Sequence, residues 1–568
     1  MSENKSAIYP RLCIAYFLQF AIWGSWGVAL GGFAGGTLEL KGSLVGWLYL
    51  AMPIGAIISP LFIGPIADRY FSAQKVIALL HALSGVALLF AGFAGGKESF
   101  ALLMLAMLLH GICFTPTIGL VNAIVFKHLP KASNAPYVFV FGTFGWIVVN
   151  LVISGFLGGF ENANFLFAGG IISIVLAGYC LTLPDTPPKG AAEGEGKGDA
   201  LGLGALAMLK EPAFAIFVVC AFIASIPACN FFFPILGNVL SQRGYPAPLA
   251  LGTLCQISEL LFMTALPFFV LKFGLKKVVI IGMLAWALRY VAFAQWGFSY
   301  AVIGLLLHGF CYSFLYVGAY MYGEKVAPDH LKASVQSLLT FLLIGVGQAL
   351  GAYWGGMAME ANPAPVVGIV DAELLPDSFL KTDDDGEVTG AALPAWSNPD
   401  ENKAWGLLDL SGNFNKMLGK GKKAVEVKDL STEVADGDST ITLAEIQAIP
   451  EDGVTIGDKT YSAADVEQTF RAVAAVGTDD PSGAELEDVS VTREDWLKVQ
   501  ATGWDKVFII PALFLLVICG IFAVAGKDPK DEEVAAESTD GDEPKADADA
   551  PAEEAAAEEA APEAPSEK

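Results

Sequence analysis

Apolar runs long enough to cross a lipid bilayer dominate this sequence and constrain every later step. A helix needs about 20 mainly apolar residues to span about 30 Å of hydrocarbon. Such runs are expected near 10–33, 42–66, 76–95, 99–127, 135–158, 163–183, 212–240, 246–272, 277–296, 299–323, 332–359 and 506–526. With no water in that layer, each backbone N–H and C=O must be paired within the chain, so runs of this length fold as helices. Composition agrees: 54% of the 568 residues are hydrophobic and 16% are charged, against about 25% charged in a soluble domain. An all-α integral membrane protein with twelve transmembrane helices in a lipid bilayer is expected.

The start, MSENKSAIYPRL, lacks a short apolar stretch closed by a small-residue cleavage site, so the first run is expected to be retained. One set of short connections holds Arg11, Arg69, Lys75, Lys127, Lys272, Lys276, Lys277 and Lys325, whereas the other holds little beyond Lys41, Lys97 and Arg243. Cytoplasmic connections are the ones enriched in Lys and Arg, which puts both termini in the cytoplasm. The eight cysteines all fall in apolar runs and read as small buried hydrophobes, not as a disulfide framework.

Three stretches interrupt the apolar pattern. Residues 184–211 are rich in Gly, Pro and charge and divide the runs into two sets of six, residues 1–183 and 212–359 plus the last helix, as a cytoplasmic linker would. Residues 360–504 lie between runs 11 and 12 and form a soluble insert on the far side of the membrane. Beyond helix 12 at 505–526, the tail 527–568 is an Ala-Pro-Glu-Asp run that cannot bury enough apolar surface to fold alone. From Gly526 onward, four lysines face sixteen acids, a net charge of −12 out of −25 for the chain. The acidity is therefore local, and says little about substrate.

Two stretches repeat. LLHGICF at 108–114 returns 198 residues later as LLHGFCY at 306–312, and Pro65, Phe71, Lys75 and Val76 return at an offset of 202 as Pro267, Phe273, Lys277 and Val278. Two pseudo-symmetric six-helix halves joined by a cytoplasmic linker resemble the major-facilitator transporters, whose substrate site lies near the bilayer midplane where the halves meet. In GPIADRYFSAQK, Gly64, Asp68 and Arg69 resemble the superfamily's conformational latch after helix 2; its basic end is reduced here to Gln74 and Lys75.

Ionisable groups inside a membrane are costly and mark function or a buried partner. Gln256 and Glu259 in CQISELLF are three residues apart and share one helical face. Glu259 falls near mid-span, where desolvation disfavours the charged carboxylate; it reads as a proton carrier, against the alternative of a structural carboxyl bonded to a neighbouring helix. Arg289, late in run 9, is placed either at the site or at the membrane interface by snorkelling. Gln19, Trp23 and Trp26 share one face of run 1, and His308, Tyr312, Tyr316 and Tyr320 line run 10. Such stripes serve packing or stack a flat polar ring. His110 reads as a buried neutral histidine; His308, on the face of Tyr312, is open between that role and the site. Gly111 and Gly309 would let helices approach closely.

YFLQFAIWGSW, ADRYFSAQKV, TPTIGLVNAI, FGTFGW, the stretch from QISELLF to WALRY, and EKVAPDHLKASVQ are together similar to the bacterial nucleoside:proton symporters of the major facilitator superfamily. The resemblance implies a multi-pass protein of the bacterial inner membrane that imports nucleosides with protons. It also implies a site of Gln256, Glu259, Asn230, Thr143, Trp146 and Tyr312, to which His308 and Gln19 are added from the face analysis. The chain departs from the family where Phe139 replaces an arginine, Pro227 an amide, His308 a tyrosine and Ser313 an aspartate. Glu259 is then left to carry proton coupling.

In the insert, EVADGDSTITLAEIQAI resembles the second half of an EF-hand loop. With Glu445 at loop position 12, Asp436, Asp438 and Thr440 fall at positions 3, 5 and 7, while Val434 takes position 1 and Ser439 the usual glycine. EDVSVTREDWLKV repeats the pattern less completely, ending at Asp495. A small helical pair is expected, with calcium as its one candidate ligand; no other cofactor is. No phosphate-binding loop and no paired nucleophile and base are visible, so neither an ATP-driven pump nor an enzyme is expected. A monomer that binds nucleoside and protons and no nucleic acid is the leading reading. The alternatives are a transporter of another polar solute and a solute receptor that signals through its outer domain.

Overall fold

The computed structural model describes residues 5–59, 70–129, 135–187, 203–245, 247–382, 386, 388–396, 430–434, 440–456, 459–476 and 490–529. In chain order its apolar segments are 1, Ile8–Thr37; 2, Gly42–Ser59; 3, Ala73–Gly95; 4, Phe100–His128; 5, Tyr137–Phe156; 6, Asn164–Cys180; 7, Pro212–Ser225 with Cys229–Gln242; 8, Pro248–Phe273; 9, Leu275–Ala294; 10, Phe298–Val326; 11, Ser334–Glu360; and 12, Trp504–Ala525. Among the described residues ten helices are long and apolar enough to cross a membrane. Segment 6 has 17 residues. Segment 7 is broken by its proline, as the resemblance implied: the helix stops after Ser225 because Pro227 brings no N–H and Ala228 leaves helical geometry, at φ −93° and ψ −127°. A short helix, Leu203–Lys210, meets Pro212–Ser225 at 114°.

The repeat is visible as repeated packing. A side chain on Gly111 of segment 4 would run into the Ala51 carbonyl of segment 2, and one on Gly309 of segment 10 into the Ser258 carbonyl of segment 8. Glycine lets both helix pairs cross with backbones in contact. The histidine before each glycine reaches the corresponding helix of its own half: His110 Nδ1 lies 2.9 Å from Ser84 Oγ on segment 3, and His308 Nδ1 lies 2.6 Å from Arg289 Nη1 on segment 9.

The halves meet closely at the end of the bundle that carries the insert. Asn238 Nδ2 of segment 7 donates to the Gly31 carbonyl of segment 1 at 2.9 Å. Gly42 and Gly46 of segment 2 lie against the backbone of Ala352 and Gly356 in segment 11, with no room for a Cβ. Ser43 N donates to Glu360 Oε2 at 3.0 Å beside them. The turns of residues 38–41 and 243–245 lie at this end.

The insert has its own core, built from Phe379, Trp396, Ile441, Ile446, Phe470, Val491 and Trp496 among others. Among its described residues three antiparallel ribbons run through it: β1 (Leu380–Thr382) with β2 (Val388–Ala391), β3 (Thr440–Thr442) with β6 (Ser490–Thr492), and β4 (Val454–Ile456) with β5 (Lys459–Tyr461). β-Branched triplets such as Thr440-Ile441-Thr442, with one apolar residue turned inward, favour strand. Gln242 Oε1 ties the insert to segment 7, accepting from Thr502 N at 3.0 Å and Trp504 Nε1 at 2.9 Å. Lys381 Nζ reaches Glu39 Oε1 in the turn after segment 1 at 2.8 Å.

Candidate functional site

Segment 8 presents an exposed stripe of Ile257, Leu261, Thr264 and Phe268. At about 100° per residue, Glu259 lies some 160° around the helix from that stripe. Its carboxylate is therefore turned to the bundle interior. The side chain keeps 16% of its surface exposed, and Oε2 lies 3.5 Å from His308 Nε2. Gln256, a turn earlier, is buried beside the same face.

Behind His308 stands a buried cation. Arg289 was expected either at the site or snorkelling to the interface; its exposure is 0%, and the guanidinium is held by four groups. Nη1 contacts His308 Nδ1 at 2.6 Å and Nη2 donates to Cys255 Sγ at 3.3 Å. Cζ lies 3.6 Å from the centre of the Phe232 ring and 5.1 Å from that of Trp286. Aromatic faces attract cations, which replaces part of the lost hydration. Segments 7 to 10 thus contribute Phe232, Cys255, Glu259, Arg289 and His308 to one cluster.

From His308 an aromatic ladder continues along segment 10. The His308 and Tyr312 rings stack at 6.3 Å, Tyr312 and Tyr316 at 5.6 Å, and Tyr320 Oη meets Thr340 Oγ1 at 3.1 Å. The Cys311–Val317 stretch is π-helical, a widening of the helix that is frequent at functional sites. Within it, Ser313 Oγ is buried without a hydrogen-bond partner among the described residues.

On the other half, Trp146 of segment 5 packs edge-on to Trp23 at 5.5 Å and lies 6.0 Å from Phe233 of segment 7, so it bridges the halves. Thr143 is half-buried one turn earlier. Gln19 and Trp26 turn away from the seam between the halves. Gln19 is fully buried; its Nε2 donates to Thr117 Oγ1 at 2.8 Å, and its Oε1 lies 2.7 Å from His81 Nε2. Trp26 packs edge-on to His110 at 5.5 Å. The stripe Gln19-Trp23-Trp26 is therefore split, with Trp23 alone of the three meeting Trp146. His81 was not singled out in the sequence; a second histidine in an apolar run, three residues before the serine that His110 contacts, was the available signal.

Asn230 is the second residue of the second helix of segment 7, and its side chain lies outside the described residues, as do Gly64, Asp68 and Arg69. In the insert, Asp436 and Asp438 are likewise outside. Thr440 begins β3, whose register pairs Ile441 with Val491, and the Glu445 carboxylate accepts from Thr442 N at 2.7 Å in a capping box. Thr492 and Asp495 build the same box in the second copy. The strands thus pair and each is followed by a capped helix, while Val434, expected at the first ligand position, is apolar and buried. Among the described residues no group of three His, Cys, Asp or Glu side chains could hold a metal ion.

Residues 7–370 match the family described as Nucleoside H+ symporter. The chain is 37% identical over 383 residues to the putative nucleoside transporter YegT of Escherichia coli K12, covering 63% of this chain and 87% of that protein. It is 29% identical over 374 residues to the nucleoside permease NupG of the same organism, covering 62% and 87%. The crystal structure of the nucleoside transporter NupG matches with a TM-score of 0.56 at 27% identity, over 62% of this chain and 91% of that one. The fold is that of the major-facilitator transporters.

Proposed function

We propose that this chain, which belongs to the nucleoside H+ symporter family, imports nucleosides together with protons by alternating access. It is a multi-pass membrane transporter and not an enzyme. The observation that carries the mechanism is Glu259, a carboxylate turned to the bundle interior, partly exposed, and 3.5 Å from His308. A nucleoside presents a flat base and a hydroxylated sugar. The Tyr312–Tyr316 ladder and Trp146 offer stacking faces, Gln256, Glu259 and Thr143 offer hydrogen-bonding groups, and the family resemblance adds Asn230.

In this reading all twelve segments cross the inner membrane, both termini are cytoplasmic, and residues 360–504 form an extracytoplasmic insert. The tight packing of segments 1 and 7 and of 2 and 11 then closes the outer side. Protonation of Glu259 and binding of nucleoside permit the turn to the inward-open state, and loss of both inside allows the return. Gly64, Asp68 and Arg69 latch the cytoplasmic end. The protein acts as a monomer, without a cofactor. The EF-like pair serves as a scaffold: its first described ligand position is apolar and Glu445 caps its own helix, so calcium has no step in the cycle.

The test is uptake of radiolabelled uridine by proteoliposomes under an imposed pH gradient, with competition by nucleosides, bases and sugars. Accumulation that collapses with a protonophore and is competed by nucleosides supports the reading. Competition by sugars alone assigns another solute, and binding without accumulation assigns a receptor.

A further inference from the structure

The cluster around His308 contains more chemistry than carriage of a proton on Glu259 requires. A guanidinium has five N–H donors and no acceptor. Nη1 of Arg289 lies 2.6 Å from Nδ1 of His308, so Nδ1 must be the accepting nitrogen. The proton of the neutral ring then sits on Nε2, the atom that faces Glu259 Oε2 at 3.5 Å. A second proton on the ring would set an N–H against the N–H of a permanent cation. His308 is thereby confined to one neutral tautomer, a donor aimed at the carboxylate.

Resting on the nucleoside-symport reading above, we propose that Arg289 is the positioning residue for proton coupling: it locks His308 as an Nε2–H donor that holds Glu259 while it is ionised and loses it once Glu259 is protonated. The ionised carboxylate accepts from Nε2–H, and its charge is balanced by Arg289. When a proton enters from outside and binds Glu259, the carboxyl becomes a weaker acceptor and the balance is lost, which frees the side chain to turn with the nucleoside. The proton leaves from Glu259 on the inner side, and His308 never changes its proton count. The groups that face His308 and Arg289 are Cys229 of segment 7, Cys255 and Glu259 of segment 8, Tyr290 of segment 9, and Cys311 and Tyr312 of segment 10. Glu259 is the carboxylate among them.

The test uses full-length protein in liposomes and reads exchange and uphill accumulation of uridine separately. Glutamine at 308 offers the same polarity as the locked ring, a carbonyl toward Arg289 and an N–H toward Glu259. His308→Gln should therefore accumulate uridine at least about tenfold better than His308→Phe, the effect of one charge-assisted hydrogen bond. Arg289→Gln should lower the ratio of accumulation to exchange by a similar factor, and Arg289→Lys should restore part of it. Equal loss in His308→Gln and His308→Phe would place the travelling proton on His308 and overturn the relay, as would an unchanged ratio in Arg289→Gln. If Arg289→Gln does not fold, the His308 pair and Arg289→Lys still decide. A further measurement needs no substrate: nitrogen-15 NMR of histidine-labelled protein, with the His308 signal assigned by its loss in His308→Gln. A bare Nδ1 and protonated Nε2 support the lock; the opposite tautomer or a doubly protonated ring overturns it. Absence of any uridine flux in the wild type would overturn the nucleoside reading while leaving the NMR result to judge the lock.

Discussion

Asn238 donates its side-chain N–H to the Gly31 carbonyl, at 2.9 Å, across the boundary between the two halves. The same amide also reaches the Pro234 carbonyl of its own helix at 3.1 Å, so a single side chain pins segment 7 to segment 1 where both backbones are already in contact. Removing it takes away one buried hydrogen bond, worth about 1 kcal/mol. Asn238→Ala should shift the population towards the state open at this end by roughly fivefold. Distances between spin labels on the turns of residues 38–41 and 243–245 would report it as growth of a longer-distance peak.

The glycines of the repeat make a sharper structural prediction. Gly309→Val drives a branched side chain into the Ser258 carbonyl, and overpacking of this kind costs about 1–3 kcal/mol or more. Gly119, on the same helix as Gly111, has nothing within 4 Å of an added Cβ. Thermal denaturation in detergent should separate Gly309→Val and Gly111→Val, both strongly destabilised, from a near-neutral Gly119→Ala.

Gln19 offers a test of which polar groups the substrate can use. Gln19→Leu strips His81 and Thr117 of a shared partner inside segments 1, 3 and 4, at a cost of about 1–3 kcal/mol for the groups left unsatisfied. Stability should fall while the rank order of competing nucleosides stays the same. A changed rank order would return Gln19 to the binding site.

How far the sequence revealed this arrangement depended on the kind of signal. Period and length located the helices, because hydrocarbon leaves few alternatives for a backbone. The duplicated His-Gly pair predicted a shared crossing geometry, since glycine at a helix contact has a steric reason. The prolines of segment 7 marked it as broken, while the exact place of the break, after Ser225, was not legible, because a proline can kink a helix or end it according to its tertiary surroundings. Arg289 was ambiguous for a related reason: depth along a helix does not say which face looks inward. The division of the Gln19 stripe depended on partners from segments 3 and 4 that no local pattern contains. In the insert, three-residue strands are too short for periodicity to reveal.

Attachment of the insert can be weighed the same way. The Lys381–Glu39 pair is exposed on both sides, and such pairs contribute less than about 1 kcal/mol. Gln242 serves two donors, one of them on buried Trp504. Gln242→Ala should therefore make the junction at residues 501–504 more sensitive to limited proteolysis, whereas Lys381→Ala should leave the cleavage rate within about twofold of wild type.

The central claim is that Glu259 carries the proton that drives uptake. Uridine accumulation by Glu259→Gln in proteoliposomes, with the interior made alkaline relative to the medium, tests it directly. The account predicts that the internal concentration never exceeds the external one. Accumulation against the gradient at the wild-type level would contradict it.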